Sequence, residues 1–398
     1  MKGNINFSQL ESVTHSCRLD SMFAPGVAER VRAFHRTITG YESTPLISLQ
    51  SLAENIGLQS FHVKDESYRF GLNAFKCLGG SWCIANYIAE KLGIPEGDIA
   101  FERLKGDDVR GKMSGVKFVT ATDGNHGRGI AWAASRLGLG SVVFMPKGTA
   151  RERLENIQAL GSEASITNMN YDDTVQHAKI FAESHGWSLM QDTSFSGYED
   201  IPLRIMQGYL TMALEAAEEI SQPPTHIFLQ AGVGSMAGAL ASFFTQYYGG
   251  KIIITIIEPN NADCIFRTAR ANDGELHAVK GSLKTIMAGL ACGVPCTVAW
   301  ELLKSHAQNY ISMPDYVAAN GMRILGNPCG DDTRIISGES GASTAGFVCE
   351  LMRNDSLDGI REALKIDGSS RVLCFSTEGD TDRENYRRIV WDGLYHGY

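Results

Sequence analysis

The chain has no apolar stretch approaching the roughly 20 residues that a membrane-spanning helix needs, and no run of basic residues against a formal net charge of −9. A membrane span is therefore not expected, nor is nucleic acid or an anionic membrane surface as a partner. The first residues, MKGNINFSQLESVTHSCRLD, lack the apolar centre of a secretory signal, so a cytoplasmic location is expected. Nine cysteines are scattered singly, at positions 17, 77, 83, 264, 292, 296, 329, 349 and 374. None forms a C-x-x-C pair, and Cys292 with Cys296 has no matching second pair. Neither a metal site nor a disulfide framework is expected, and reduced thiols are the default. Cys264 and Cys292 alone invite a question of proximity, because both lie in the loop-rich stretch between glycine-rich motifs. Tandem repeats and low-complexity tracts are also missing, which excludes solenoids and disordered arrays.

What is present is the composition of a globular protein, 43% hydrophobic and 20% charged over 398 residues. That length suits two to three domains, or one core with a second lobe. Short β-branched runs recur at 60–66, 117–123, 141–148, 162–169, 188–193, 225–232, 251–259 and 371–379. Between them lie amphipathic stretches such as GIAWAASRLG and YDDTVQHAKIFAESHG. Strands alternating with helices indicate an α/β protein with mostly parallel sheets. Ligands in such sheets bind beyond the carboxyl ends of the strands. The pattern divides into a group at about 79–199 and another at about 200–398. Residues 94–115 are polar and turn-rich, and read as a surface insertion in the first group.

Three stretches sit where strands end. TATDGNHGRG (120–129) joins a strand to a helix through a glycine-rich turn. Asp123 there suits a helix N-cap, yet it also places a carboxylate on a turn whose free N–H groups favour anions. In RFGLNAFKCLGG (69–80), Lys76 is a cation in a small, apolar run leading into a helix. It is either a solvated surface amine or a desolvated one suited to a Schiff base. QAGVGSMAGAL (230–240) approximates a dinucleotide fingerprint with Gly232, Gly234 and Ala237–Gly238, and the next strand ends in Glu258. The reading with better support is a cradle of backbone N–H groups for a single phosphate.

These motifs, with STPL at 43–46, MPKG and LGSEA within 145–164, SGESGA at 337–342 and STEGDTD at 376–382, follow a fixed order. The chain resembles the fold-type-II pyridoxal-phosphate enzymes, a group that includes the threonine and serine dehydratases, and the resemblance covers most of its length. KDES-x-RFGLNAFK, TDGNHGRG, MNYDDTV, QDTSFSGY and IMAGLACG are similar to the branch of ammonia-lyases acting on 2,3-diaminopropionate. The resemblance implies two lobes, each a mostly parallel sheet flanked by helices, with pyridoxal 5'-phosphate in the cleft between them. Residues 1–78 and 200–398 would form the large, cofactor-binding lobe, and 79–199 the small lobe carrying the DGNHG turn. A homodimer is implied as well.

By the same resemblance Lys76 carries the cofactor, Asn125 meets its phenolic oxygen, and Gly232, Val233, Gly234, Ser235 and Met236 hold its phosphate. Ser376 is expected at the pyridine nitrogen, with Thr377 as the competing assignment. The reaction implied is α,β-elimination of D- and L-2,3-diaminopropionate to pyruvate and two ammonia. Lys76 would act on one face of the substrate and Asp123, where the dehydratases generally carry Ser or Thr, on the other. Asp192 in QDTSFSGY is the expected second acid for the substrate, a turn or cap role being its alternative. His126 is read as a packing and hydrogen-bonding residue. Glu339 is read as shaping the pocket, with its role open, and Asp380 and Asp382 as ordering the last loop. The nearest rival is a serine/threonine-type dehydratase of the same fold. A nicotinamide-dependent oxidoreductase and a non-catalytic sensor are further alternatives.

Overall fold

A computed structural model describes residues 4–122 and 124–397, so Asp123 lies outside the described residues. Among the described residues the strands are β1 (Asn6–Gln9), β2 (Leu46–Ser48), β3 (Ser60–Asp65), β4 (Lys117–Ala121), β5 (Gly140–Met145), β6 (Glu163–Ile166), β7 (Ser188–Leu189), β8 (His226–Gln230), β9 (Ile253–Pro259), β10 (Asn309–Met313) and β11 (Arg371–Ser376). They form a larger sheet in the order β1-β10-β9-β8-β11-β3-β2 and a smaller one in the order β6-β5-β4-β7. The inner pairings are parallel, while β1 on β10 and β2 on β3 are antiparallel and close the two edges of the larger sheet. Every β-branched run read from the sequence contains a strand. The strands that the sequence did not reveal are β1, β2 and β10. The two edge strands, NFSQ and LIS, are only a few residues long and hold no fully buried residue, so they carry no run of their own. β10, NYISM, is short and becomes a strand by pairing with β9 on one side and β1 on the other.

Residues 94–115 are not a surface insertion. They form short helical turns at Glu96–Asp98, Phe101–Leu104 and Asp107–Lys112, and Phe101, Leu104, Val109 and Met113 are buried in the core. Phe101 packs edge-on against Phe34 and stacks over Trp132. The polar residues that suggested a loop occupy the outer face only.

Helices α1 (Cys77–Leu92), α2 (Asn125–Arg136), α3 (Ser235–Tyr247) and α4 (Glu339–Arg353) start at the cleft and run back beneath it. Their inner faces are rich in Gly, Ala and Ser, which lets backbones meet. A β-carbon at Gly346 of α4 would lie 2.2 Å from the Val317 carbonyl, and one at Gly321 equally close to that of Ala342. The helix Asp315–Gly326 therefore packs on α4 with almost no side chain between them.

Below the loop that leads to α1 lies a buried ionic network. Arg69 donates to Glu66 at 2.8 and 2.9 Å and to Glu215 at 2.6 and 2.9 Å, and Lys64 stands 3.1 Å from Glu215. Burial alone would raise the Glu215 carboxyl, but Arg69 and Lys64 outweigh it and hold it well below the usual carboxylate range. Removing one partner of a buried pair leaves the other charge uncompensated. Glu215→Gln is expected to lower the unfolding free energy by about 3–5 kcal/mol in denaturant titrations. A loss below about 1 kcal/mol, the worth of an exposed pair, would show that the network adds little.

Candidate active site

The position of Lys76 is fixed by backbone contacts before any side chain is considered. It caps the start of α1 with helical φ and ψ, at the end of a loop in which Phe70 and Asn73 adopt left-handed φ of 50° and 56°. That loop is held to the segment after β11, because Phe75 N–H donates to the Thr377 carbonyl and Gly379 N–H to that of Asn73. From the other side α2 presses Gly129 onto it. A β-carbon there would lie 2.8 Å from both C and O of Lys76.

The Lys76 ammonium donates to Asp192 Oδ2 at 2.5 Å. Asp192 is buried just beyond β7, so the pair joins a residue of the larger sheet's loops to one of the smaller's. Burial raises the Asp192 carboxyl, but the charges of His126 and Lys76 and the hydrogen bond from Lys76 reverse this and hold it at about 2. His126 itself is pushed down by burial and, less strongly, by Lys76, against the pull of Asp192. The His126 Nε2–H donates to the Met190 carbonyl at 2.7 Å, leaving Nδ1 facing Asp192 Oδ2 at 3.7 Å. This is the packing and hydrogen-bonding geometry read from the sequence.

Around this pair the cleft is lined by Asn125, the loop Gly232–Met236, Thr377 and Glu378. Gly234 has φ +97°, which disfavours any L side chain, and it caps α3 so that the first N–H groups of that helix open into the cleft. Ser235 Oγ donates to the Asp192 carbonyl at 2.6 Å, tying the loop to the smaller sheet. Cys292 also lines the cleft, while Cys264 is buried behind Gly232, whose carbonyl its thiol meets at 3.7 Å; neither is in a disulfide. Ser376 does not reach the cleft. Its hydroxyl is buried and donates to Ser337 Oγ at 2.8 Å, whereas Thr377, one residue on, faces inward. Successive residues at a strand's end point to opposite sides, and only the register decides which. Glu258, the acid that ends the strand after the glycine loop, accepts from the N–H groups of Ile265 and Phe266 at 2.9 and 2.6 Å and is committed to capping a helix.

Several lining groups went unread in the sequence. Glu378 accepts from Asn125 Nδ2 at 2.5 Å, and Tyr209 packs its ring on Phe75. Gln230 donates to Thr377 Oγ1 at 2.9 Å. Glu378 stands inside the STEGDTD motif, whose placement after the last strand was its one visible signal. Glu339 begins α4 beside the cleft, and its carboxyl is raised to about 7, first by burial and then by neighbouring Glu378, with Arg153 and Asn385 opposing. Asp382 caps the helix Arg383–Val390 through Asn385 N–H, and Asp380 accepts from Asn73, so both order the last loop.

Four buried atoms around the cleft, Tyr209 Oη, Gln230 Oε1, Ser340 Oγ and His126 Nδ1, have no hydrogen-bond partner among the described residues. Buried polar atoms are normally satisfied. Their convergence on a glycine cradle at a helix N-terminus, opposite a lysine, fits a planar polar group bearing a phosphate. Comparison with known proteins is consistent with this. Residues 38–366 match the family described as pyridoxal-phosphate dependent enzyme. The diaminopropionate ammonia-lyase of Salmonella typhimurium is 47% identical over 379 residues, 94% of each chain. The chain belongs to the diaminopropionate ammonia-lyase family of pyridoxal-phosphate dependent enzymes. The Escherichia coli member in complex with D-serine superposes with a TM-score of 0.91 at 44% identity, covering 98% of both chains. The same E. coli protein has been solved with an aminoacrylate-PLP azomethine reaction intermediate, again at TM-score 0.91 and 44% identity, over 99% of this chain and 98% of that one. The fold is therefore the fold-type-II α/β architecture, and the cofactor is pyridoxal phosphate.

Two outcomes follow from the site's geometry. Gly129→Ala should displace Lys76 and reduce activity by about 10²-fold, the usual effect of a displacement near 1 Å; unchanged turnover would mean that the loop absorbs the β-carbon. Because the folded Glu339 carboxyl is raised, its stabilising contribution is complete below about pH 4.5 and is lost as pH rises through about 7. Glu339→Gln should thus gain on the parent chain by on the order of 3 kcal/mol between about pH 4.5 and pH 8. Urea titrations at both pH values measure the gap, and a gap that does not change with pH would refute the assignment.

Proposed function

We propose that the chain catalyses α,β-elimination of D- and L-2,3-diaminopropionate to pyruvate and two ammonia. The observation that carries this reading is the half-buried Lys76 paired with buried Asp192 at 2.5 Å, set among unpartnered polar atoms in a glycine-lined cleft. Lys76 would hold the cofactor covalently, and the N–H groups of Gly232, Val233, Gly234, Ser235 and Met236 its phosphate. Asn125 would meet the phenolic oxygen. Thr377 takes precedence over Ser376 for the ring nitrogen. Its hydroxyl already accepts from Gln230, so its proton is available to a further acceptor, whereas that of Ser376 is committed to Ser337. Bound there, pyridoxal phosphate supplies the electron sink for the charge left when Cα loses its proton.

The chain supplies the proton movements. Lys76 Nζ is placed to take the Cα proton on one face. Asp123 is proposed as the base on the opposite face. Asp192, ionised beside an ammonium, is suited to hold the substrate's second ammonium and to manage the proton that leaves with ammonia. The two sheets give the lobes their centres, with 79–199 as the small lobe and 1–78 with 200–398 as the large one. A homodimer in the cytoplasm completes the proposal. The rival, a serine/threonine-type dehydratase, predicts faster pyruvate or ketoacid release from L-serine or L-threonine than from either enantiomer of diaminopropionate.

Release of 2-keto acid, pyruvate from serine and from both enantiomers of diaminopropionate and 2-ketobutyrate from threonine, separates these readings directly. Asp123→Asn sharpens the test, because Asn keeps the size and capping ability of Asp but cannot act as a base. Turnover of D-diaminopropionate should fall by roughly 10²–10⁴-fold and that of the L-enantiomer by less. Equal losses on both enantiomers would defeat the two-base proposal, and no loss would reduce Asp123 to a cap.

A further inference from the structure

We infer that Glu378 is a positioning residue whose carboxylate fixes the amide of Asn125 toward the cofactor and locks together the N-termini of α2 and α4. The inference rests on the reading that Asn125 meets the cofactor's phenolic oxygen. Glu378 is 2% exposed. One carboxylate oxygen, Oε2, accepts from Asn125 Nδ2 at 2.5 Å, and the other, Oε1, from Ser340 N–H at 3.2 Å. The first of these donors opens α2, which follows a strand of the smaller sheet. The second lies in the first turn of α4, which packs under the larger sheet. An anion shared between two helix N-termini is favoured by both sets of unpaired N–H groups.

The backbone of Glu378 is held as firmly as its side chain. Its carbonyl accepts from Gly338 N–H at 2.9 Å, and it forms an isolated antiparallel bridge with Ala74, two residues before Lys76. A β-carbon at Gly338 would lie 2.9 Å from Glu378 Cγ and 2.5 Å from the Gly379 carbonyl, so glycine is what lets the carboxylate reach α4. The consequence for Asn125 is orientational. An amide turned end for end would set Oδ1 against Glu378 Oε2, acceptor against acceptor. The carboxylate therefore keeps the NH2 end in place, and the second N–H of that group remains for an oxygen in the cleft. A charged acceptor makes this the stronger kind of hydrogen bond. The neighbouring carboxyl of Glu339 accepts instead from Asn385.

The test is a double-mutant cycle on cofactor affinity, measured by absorbance titration of cofactor-free protein with pyridoxal 5'-phosphate. Glu378→Gln keeps a carbonyl for Ser340 N–H and removes only the charge and the fixed amide orientation. It should weaken cofactor binding about tenfold in the parent chain and less than about twofold in an Asn125→Ala background. A similar loss in both backgrounds would mean that Glu378 acts only by capping α4, and would overturn the inference. If Asn125→Ala does not fold, judged by its thermal transition, Asn125→Ser serves the same corner of the cycle. Should loss of the Asn125 amide leave cofactor affinity unchanged, the placement of Asn125 at the cofactor fails and the inference falls with it. Substrate turnover is not read, so an error in the choice of substrate would not disturb the result.

Discussion

The ion pair between Lys76 and Asp192 is the contact on which the cleft depends, because its two members come from different sheets. Lys76 follows β3 of the larger sheet and Asp192 follows β7 of the smaller one. Asp192 is buried, and an unpaired carboxylate there would carry an uncompensated desolvation cost. Together the two residues draw the two sets of strand ends into one site. The ties from Ser235 to the Asp192 carbonyl, from Asn125 to Glu378 and from Ser194 to Thr297 all cross the same boundary. The cleft is thus bounded by polar contacts, with the apolar cores of the two sheets lying behind them.

Glycine is the second element of the design. At Gly129 and Gly338 its value lies in the missing β-carbon, which lets one chain segment press on another beside Lys76 and Glu378. At Gly234 the value is conformational, since φ +97° turns the chain so that the start of α3 faces the cleft. Catalytic geometry built on backbone contact resists rotamer motion, which is how a site holds reacting groups in register.

The buried carboxylates differ in whether neighbouring groups reverse the effect of burial. Asp192, where His126 and Lys76 reverse the effect of burial, lies at about 2, while Glu339, raised first by burial and then by Glu378, lies at about 7. Glu258, with only two backbone N–H donors, is raised well above the ordinary value. All three are removed from water, so burial does not separate them. The adjacent charge does.

The sequence by itself determined the elements and the positions of the motifs. β-branched runs become parallel strands wherever helices cover both faces, and Lys76, Asn125, Asp192 and the 232–236 loop are legible because each follows such a strand or opens a helix. The antiparallel edges and β10 were not legible, because they exist through pairing rather than through their own patterning. Within the site, Ser376 and Thr377 are chemically alike and adjacent, so only the register of β11 could decide which hydroxyl faces the cleft. Glu258 looked like a ligand-binding acid until the helix it caps was placed against it. Glu378 acquires its meaning only from Asn125, 253 residues earlier in the chain, and from Ser340. Local sequence fixes what a strand end can offer. Which side chains meet across a cleft is decided by sheet order and by helix packing, and those depend on contacts between residues that the linear chain keeps far apart.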